Sequence, residues 1–191
     1  MNGWSTRPAA AAVLALVAVA VPARGQLAYT EADVRFMTGM IPHHAQAVLM
    51  AGWAPSHGAS GAVRRLCERI AVAQQDEIAF MRQWLADRGR PVPDAGPGHA
   101  HGPLMPGMLT PGQLGELDRA RGADFDRLFL TYMIQHHEGA LTMVDELFAS
   151  QGAAQDEDVF KFAVDVHADQ TTEIERMRTM LEAQSSGGRN P

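Results

Sequence analysis

The sequence has a single cysteine, Cys67, so the chain cannot close an internal disulfide bond. Its stability must therefore come from a packed core or from a bound metal. The net charge is −6 and there is no run of basic residues, which argues against nucleic acid as a partner. There is also no convincing alternation of apolar and polar residues, so β-strands are not expected.

The N-terminal segment has the pattern of a signal peptide. Arg7 precedes an apolar run that ends near Pro22 among small residues. The run is short for a membrane span, and no cysteine follows it that would carry a lipid. We expect residues 1–23 to be a signal peptide and the rest of the chain to be exported, to the periplasm or outside the cell. A retained N-terminal anchor is the alternative.

Apolar residues recur at helical spacing through most of the remaining chain, which predicts an all-α protein. The expected helices run from about Thr30 to Gly52, from Ser60 to near Gly89, from Thr110 to near Gly122, from there to about Ser150, and from about Gln155 to Gln184. This pattern predicts a single domain over residues 27–184, with halves at 30–88 and 111–184. Residues 89–110 form a connector, and residues 185–191 form a disordered tail. The order of elements predicts a ferritin-like four-helix bundle of two helical hairpins with a long crossover connection.

The two halves repeat each other. Phe36, Met40, Ile41, His43, His44, Ala47 and Met50 align with Phe129, Met133, Ile134, His136, His137, Ala140 and Met143. In the partner helices, Gln74, Glu77, Ile78, Met81, Arg82 and Leu85 align with Gln170, Glu173, Ile174, Met177, Arg178 and Leu181. We therefore expect two hairpins packed about a pseudo-twofold axis, with both histidine pairs near that axis.

The repeated histidines and methionines predict a metal site in the core. At roughly 100° per residue, both histidine pairs fall on the core-facing stripe of their helices. Burying four imidazoles is unfavourable unless the ring nitrogens find partners. Thioether sulfur suits Cu(I), and imidazole binds copper in either oxidation state. The expected metal ligands are His43, His44, His136, His137, Met40, Met50, Met133 and Met143.

Other residues are expected to support this site. A glutamine in the middle of each partner stripe is expected to accept a ring N–H, and a glutamate at the stripe edge to balance the charge of a cation. These supporting residues are Gln74, Glu77, Gln170, Glu173 and His167, the last on the same face as Gln170. Candidate accessory ligands are Met81, Met177, His99, His101, Met105 and Met108.

Two features leave the arrangement of the site open. Met50 lies roughly 10 Å along the helix axis from His43, so either several sites lie in layers or some methionines only fill the core. Pro42 stands where Gln135 stands in the second copy, and a proline removes one helical hydrogen bond and bends the helix. The two half-sites therefore need not be equivalent.

Other functions fit the sequence less well. A di-iron carboxylate oxidase needs glutamates from all four helices and Glu-x-x-His on two of them, and the sequence has no Glu-x-x-His. A zinc hydrolase lacks an open three-ligand spacing with a placed base. We therefore expect no enzyme. A metal-free or other-metal (Zn or Fe) bundle, acting as a stress or partner-binding protein, stays the alternative, because histidines can also bond to core glutamines.

The motifs resemble those of the bacterial domain of unknown function 305 family. FMTGMIPHHAQAVLMA and FDRLFLTYMIQHHEGALTMV are each followed by QxxEI, and MPGML precedes the second half. The resemblance implies a ferritin-like bundle, usually exported, that binds copper in some members. We expect storage, buffering or delivery of copper, Cu(I) favoured over Cu(II), with a copper donor or acceptor protein as partner. The resemblance places the family's shared residues at Met40, His43, His44, Met50, Gln74, Glu77, Met133, His136, His137, Met143, Gln170, Glu173 and Met177.

Overall fold

The computed structural model describes residues 29–94 and 104–187, and within these ranges every regular element is helical. The helices are α1 (Glu31–Gly52), α2 (Gly61–Asp87), α3 (Pro111–Arg119), α4 (Gly122–Ala149) and α5 (Glu157–Gly187). The predicted all-α class is confirmed. Residues 185–187 belong to α5, so the prediction that the disordered tail begins at 185 is wrong, because the last helix continues for almost one more turn. None of these helices is both long and apolar enough to cross a membrane.

Side-chain caps set where three of the helices begin. Thr30 and Asp33 form a capping box at α1, in which the Thr30 side chain accepts from the Asp33 N–H and the Asp33 carboxylate accepts from the Thr30 N–H. Ser60 caps α2, and Thr110 caps α3 together with Gln113. These signals are local in sequence, which is why the predicted starts at Thr30 and Ser60 are confirmed. Helix α1 then continues through Pro42 to its end.

The helices are arranged as two hairpins that meet along α1 and α4. Helix α1 packs on α2, α4 packs on α5, and α1 packs on α4. The backbones of α2 and α5 lie farther apart and meet through side chains, as where the rings of Phe80 and Phe162 lie 5.1 Å apart between centroids. The inner helices α1 and α4 are antiparallel, since His136 meets His43 while Met143 approaches Gly39. This is a helical bundle with one open seam, between α2 and α5.

Reciprocal hydrogen bonds tie each hairpin to the loop of the other. The Asp33 carboxylate on α1 accepts from the Ala154 N–H in the loop between α4 and α5 at 2.7 Å. The aligned Asp126 on α4 accepts from the Ser60 N–H in the loop between α1 and α2 at 3.1 Å. Both aspartates are buried, and each satisfies a backbone donor that no helix provides for. These contacts fix how far α1 is shifted along its axis relative to α4.

The core contains two apolar clusters, one toward each end of the bundle. One cluster includes Met40, Met81 and Met143, and the other includes Met50, Met133 and Met177. Between them in both helices stand the four repeated histidines, which we call the histidine layer (His43, His44, His136 and His137). The fold therefore places a polar layer between two methionine-containing apolar layers.

Candidate metal centre

Helices α1 and α4 bring the four imidazoles of the histidine layer together in the core. Each of the four side chains is completely buried. The rings of His43 and His136 lie 3.9 Å apart between centroids, and the two rings within each pair are 6.3 and 6.2 Å apart. The predicted core-facing orientation of both pairs is confirmed. It follows from helical periodicity, because the histidines share a stripe with the buried methionines.

The inner rings, His43 and His136, each contact a backbone carbonyl through Nε2. His43 Nε2 lies 3.0 Å from the carbonyl oxygen of Pro106, and His136 Nε2 lies 3.0 Å from the carbonyl oxygen of His43. A carbonyl oxygen only accepts hydrogen bonds, so Nε2 of each ring donates its proton. The neutral ring then has an unprotonated Nδ1.

The outer rings, His44 and His137, each face a glutamate from the flanking helix. His137 Nε2 donates to the Glu173 carboxylate at 2.7 Å. His44 Nε2 lies equally close to the Glu77 carboxylate, but this contact is off hydrogen-bond alignment. Both glutamates are partly exposed at the edge of their helices. The sequence predicted that these glutamates would lie at the stripe edge and balance the charge of a cation. In the structure they lie at that edge and contact the rings directly.

The remaining nitrogen, Nδ1, has no hydrogen-bond partner in any of the four rings. An unsatisfied buried polar atom costs about 1–3 kcal/mol, so four of them at one level need an explanation. Histidines that ligate metals commonly donate one ring N–H to a carboxylate or carbonyl and ligate through the other nitrogen. The contacts at Nε2 therefore leave Nδ1 available for a metal in each ring.

Burial keeps the inner rings neutral. It lowers the pKa of His43 to about 3, and the neighbouring His44 and His137 act in the same direction against the Pro106 carbonyl. The pKa of His136 is lowered well below its usual value by burial and by the other three rings. Neutral imidazole is the form that ligates metals. These two rings therefore need no deprotonation step at neutral pH.

The predicted methionine ligands lie on both sides of the histidine layer. Met40 shares one cluster with Met143, and Met50 shares the other with Met133. Because α1 and α4 are antiparallel, each cluster pairs one methionine from before a histidine pair with one from after the other pair. Met81 and Met177, two of the candidate accessory ligands, add one buried thioether to each cluster.

The end of the connector closes the histidine layer on the α1 and α4 side. Besides Pro106, which holds His43, the backbone of Leu109 bonds through both its N–H and its C=O to the amide of Gln46. Gly107 has φ +74°, and a Cβ on Gly139 would lie 2.1 Å from the Pro106 carbonyl oxygen. Only glycine permits this approach. Sequence reasoning missed these contacts, although MPGML next to the second repeat was a signal for them.

Two predicted supporting roles are wrong. Gln74 and Gln170 are each 3% exposed, but neither accepts a ring N–H, since the glutamates and carbonyls take that place. A glutamate one turn farther along reaches the ring and, being charged, accepts more strongly. His167 is exposed, so it does not share the inward face of Gln170. Three residues turn a helix by about 300°, which carries His167 past the edge of the buried stripe.

The other candidate ligands lie elsewhere. Met105 is half-buried over Gly39 and Met108, also in the connector, is buried, while His99 and His101 lie outside the described residues. Cys67 is buried, and burial together with the charge of Asp126 raises the pKa of its thiol to about 12, so it stays protonated.

Among the described residues, no group of three or more histidine, cysteine, aspartate or glutamate side chains is arranged to hold a metal ion. A metal in the histidine layer would therefore need methionine sulfur beside imidazole. This mixed soft donor set suits Cu(I) and does not suit Mg²⁺ or Ca²⁺. The unsatisfied ring nitrogens and the flanking thioethers thus fit a soft monovalent ion.

The chain resembles several known proteins. A family model described as Domain of unknown function (DUF305) matches residues 33–181. A DUF305 structure from Streptomyces coelicolor, described as that of a candidate secreted protein, is 28% identical, with 81% of this chain and 94% of that chain covered and a TM-score of 0.71. A 56-residue match to an uncharacterised protein of Acanthamoeba polyphaga mimivirus is 34% identical and covers 29% of this chain. The chain spans only 37% of the length of that curated relative.

Structures of CopM in metal-bound forms are also similar. The Cu(II)-bound form is 30% identical, with 79% of this chain and 96% of that chain covered and a TM-score of 0.66. The Cu(I)-bound form is 27% identical, with 82% and 98% covered and a TM-score of 0.64. Because the family model covers most of the sequence and nearly all of the bundle, this chain belongs to the DUF305 family.

Proposed function

We propose that this protein binds copper outside the cytoplasm and stores, buffers or delivers it, with Cu(I) as the preferred form. The observation that carries the proposal is the histidine layer, in which every buried ring has an oxygen beside Nε2 and an unpartnered Nδ1. In a metal-free bundle, those four nitrogens would remain unsatisfied in the core at about 1–3 kcal/mol each. A bound metal removes that penalty.

The ligand types favour Cu(I) over harder ions. Imidazole nitrogen and thioether sulfur are neutral, and thioethers are poor ligands for zinc, magnesium or calcium. A Cu(I) ion held by neutral ligands adds one buried positive charge, and Glu77 and Glu173 lie close enough to offset it. The proposed ligands are His43, His44, His136, His137, Met40, Met50, Met133 and Met143.

The relatives support copper and export. CopM has been crystallised in Cu(I)-, Cu(II)- and Ag-bound forms, and this chain shares its fold and about 30% of its residues. The Streptomyces coelicolor relative is described as a candidate secreted protein, in agreement with the apolar N-terminal segment of this chain. A protein that holds Cu(I) outside the cytoplasm would exchange it with a copper donor or acceptor protein and would support copper tolerance.

A catalytic role is not part of the proposal. A di-iron oxidase draws glutamates from all four helices. Here α1 and α4 present imidazoles at the level of the site, and α2 and α5 present one glutamate each. A hydrolytic metal site keeps an open position for water or substrate, whereas the four rings are completely buried.

The decisive experiment is a titration of the mature protein with Cu(I), without oxygen, against a competing chelator. Wild type is compared with a His44→Gln/His137→Gln double variant, in which the amide N–H groups can still donate to the two glutamates. His57→Gln is the matched control, because His57 is also buried but bonds to Ser56 and Asp118 away from the histidine layer.

We expect at least one tightly bound Cu(I) per wild-type chain, and affinity at least about 100-fold weaker in the double variant. The His57→Gln control should bind copper as wild type does. Wild-type binding no tighter than that of a generic methionine-rich peptide would overturn the copper proposal. Unchanged affinity in the double variant would place the site elsewhere.

A further inference from the structure

A polar cleft opens between α2 and α5, where the bundle has its seam. Its volume is about 200 Å³, and its lining includes Gln74 and Glu77 from α2 with Asp169, Gln170 and Glu173 from α5. We call it the α2/α5 cleft. It faces away from the connector, which covers the α1 and α4 side of the histidine layer. Solvent therefore comes closest to the buried rings of His44 and His137 from this cleft.

Two buried amides whose oxygens have no partner line the cleft. Gln74 and Gln170 are each 3% exposed, and the side-chain oxygen of each has no hydrogen bond. The amide nitrogen of Gln74 is also unpartnered. A buried amide normally finds a partner, so two carbonyl-type oxygens lining one cavity indicate a ligand that the protein itself does not supply. Amide oxygens are ligands for cations.

Carboxylates surround the same cavity. Glu77 and Glu173 each lie 2.7 Å from a ring of the histidine layer, so they connect the cleft to His44 and His137. Asp169 lies beside them: burial and the charges of Glu77, Glu173 and Asp165 raise the pKa of its carboxyl. Arg69 and Arg176 also line the cleft, which leaves three carboxylates against two guanidinium groups. Negative charge thus prevails where the cleft meets the rings.

We propose that a metal cation binds first in the α2/α5 cleft, through the oxygens of Gln74, Gln170 and the adjacent carboxylates, and then passes to His44 and His137. This inference rests on the proposed function, since the passing ion is the monovalent Cu(I). Oxygen ligands hold Cu(I) weakly, so the ion moves on to nitrogen and sulfur. The backbones of α2 and α5 make few close contacts with each other, so side-chain motion alone opens this route.

The alternative route passes the connector. A pocket of about 350 Å³ there is lined by Met105 and Met143 as well as Gly39 and Pro106. Its thioethers suit Cu(I), but the connector backbone beside it packs closely on α1 and α4. The Pro106 carbonyl holds His43, and Gly107 packs directly against Gly139. In the α2/α5 cleft, by contrast, Glu77 and Glu173 contact His44 and His137 directly, which makes the cleft the favoured route.

The test measures the rate of copper uptake. The cationic acetonitrile complex of Cu(I) is mixed rapidly with the mature protein without oxygen, and uptake is followed by ultraviolet absorption. Asp169→Asn is compared with Asp145→Asn, an exposed aspartate on α4 that does not line the cleft. We expect Asp169→Asn to slow uptake and release by about threefold at low ionic strength, and the difference to shrink with added salt. Asp145→Asn should behave as wild type.

A second variant tests the amides. Gln74→Leu/Gln170→Leu removes both unpartnered groups, so the protein should fold at least as stably as wild type. We expect uptake to slow by about tenfold, since the apolar side chains cannot ligate the passing ion. Circular dichroism and thermal unfolding check that the fold is kept.

The outcomes separate the two proposals. Equal uptake rates and equal salt dependence in wild type, Asp169→Asn and the leucine variant would overturn the cleft as the route while leaving the copper site intact. Slower uptake in Met105→Leu alone would assign the route to the connector pocket. If wild type bound no Cu(I) at equilibrium, both proposals would fail together.

Discussion

Helices α1 and α4 match on the face that points into the core and differ on the face that meets the connector. The identical aligned pairs on the core face include Met40 and Met133, His43 and His136, His44 and His137, and Met50 and Met143. On the outer face, three aligned pairs one turn apart are all different: Gly39 and Tyr132, Pro42 and Gln135, and Gln46 and Gly139. Repeated residues build the histidine layer, and unrepeated ones surround it.

The differing positions are those that receive the connector and α3. Met105 lies over Gly39, Gly107 bonds to Gln135, Pro106 fits against Gly139, Leu109 bonds to Gln46, and Glu116 of α3 accepts from Tyr132. One connector cannot lie symmetrically on two helices. As a result, His43 donates to Pro106 while His136 donates to the backbone of His43. Identical residues thus acquire unequal surroundings.

The largest expected effect comes from adding a methyl group to the outer face. In Gly139→Ala, the new Cβ would lie 2.1 Å from the Pro106 carbonyl oxygen, and backbone cannot yield cheaply. We expect a loss of about 3 kcal/mol in the free energy of unfolding, even though alanine favours a helix. Urea unfolding followed by circular dichroism measures it.

The matched control is Gly39→Ala in the first half. There the new Cβ meets only the flexible ends of Met105 and Met143, at 3.2 and 3.4 Å. We expect a change within about 1 kcal/mol, and in the stabilising direction if the thioethers shift. Equal losses in both variants would contradict the view that the connector rests more tightly on α4.

The reciprocal aspartates should give large losses in both halves. Asp33→Ala removes the bond to Ala154 as well as the α1 capping box, and Asp126→Ala removes the bond to Ser60. Hydrogen bonds to a charged acceptor contribute about 1.5–3 kcal/mol, so we expect about 3 kcal/mol for Asp33 and about 2 for Asp126. Chemical unfolding of the two variants measures the difference. A negligible effect of Asp126→Ala would show that the two hairpins are held together by the core alone.

The outer histidines allow a comparison of the half-sites through copper affinity. Glu173→Gln replaces an aligned carboxylate partner of His137, whereas Glu77→Gln replaces one that is equally near His44 but poorly aligned. Partners of ligating histidines typically change affinity by about 10–100-fold. We expect about tenfold weaker Cu(I) binding for Glu173→Gln and a smaller change for Glu77→Gln. The reverse order in a chelator competition would assign the stronger half-site to α1.

The smallest expected effect concerns the residues that cap α2 and α5, which differ in charge. Ser60 caps α2, but Asp156 accepts from the N–H groups of Asp158 and Val159 at the start of α5. Burial would raise the pKa of Asp156, but Arg88, the N–H of Val159 and Trp84 lower it below its usual value.

A carboxyl with a lowered pKa stabilises the fold above its unfolded pKa of about 4, and this contribution is lost as the pH falls through the folded value. Asp156→Ser should therefore cost about 1 kcal/mol at pH 7 and progressively less below pH 4. Thermal unfolding between pH 7 and pH 3 measures this. A constant difference across that range would mean that Asp156 acts through packing and not through its charge.

Much of the fold follows from local signals in the sequence. Caps at Thr30 and Ser60 lie within three residues of the donors they satisfy, so the starts of α1 and α2 were predictable. The end of α5 was predicted too early, because its last turn contains serine and glycine, which are poor helix formers. Helix ends are set by small energy differences, and propensity alone does not determine them.

The sequence predicted which helix face carries the site residues, but not which groups contact the ring nitrogens. Periodicity placed the histidines and methionines in the core, because residues of one apolar stripe all face the inside of the bundle. It assigned the ring contacts to Gln74 and Gln170 when Glu77 and Glu173 make them. A glutamate at the edge of the stripe reaches inward along its side chain, and no periodic pattern shows that.

The sequence by itself determined that two His-His pairs flanked by methionines would lie in one helical core, because periodicity and repetition are properties of neighbouring residues. Only the tertiary structure decided which oxygen each ring nitrogen meets. His43 and Pro106 are 63 residues apart, and His136 and His43 are 93 apart. The same holds for the open seam between α2 and α5. Contacts of this kind depend on how whole helices and one connector pack, and packing joins residues that no local pattern relates.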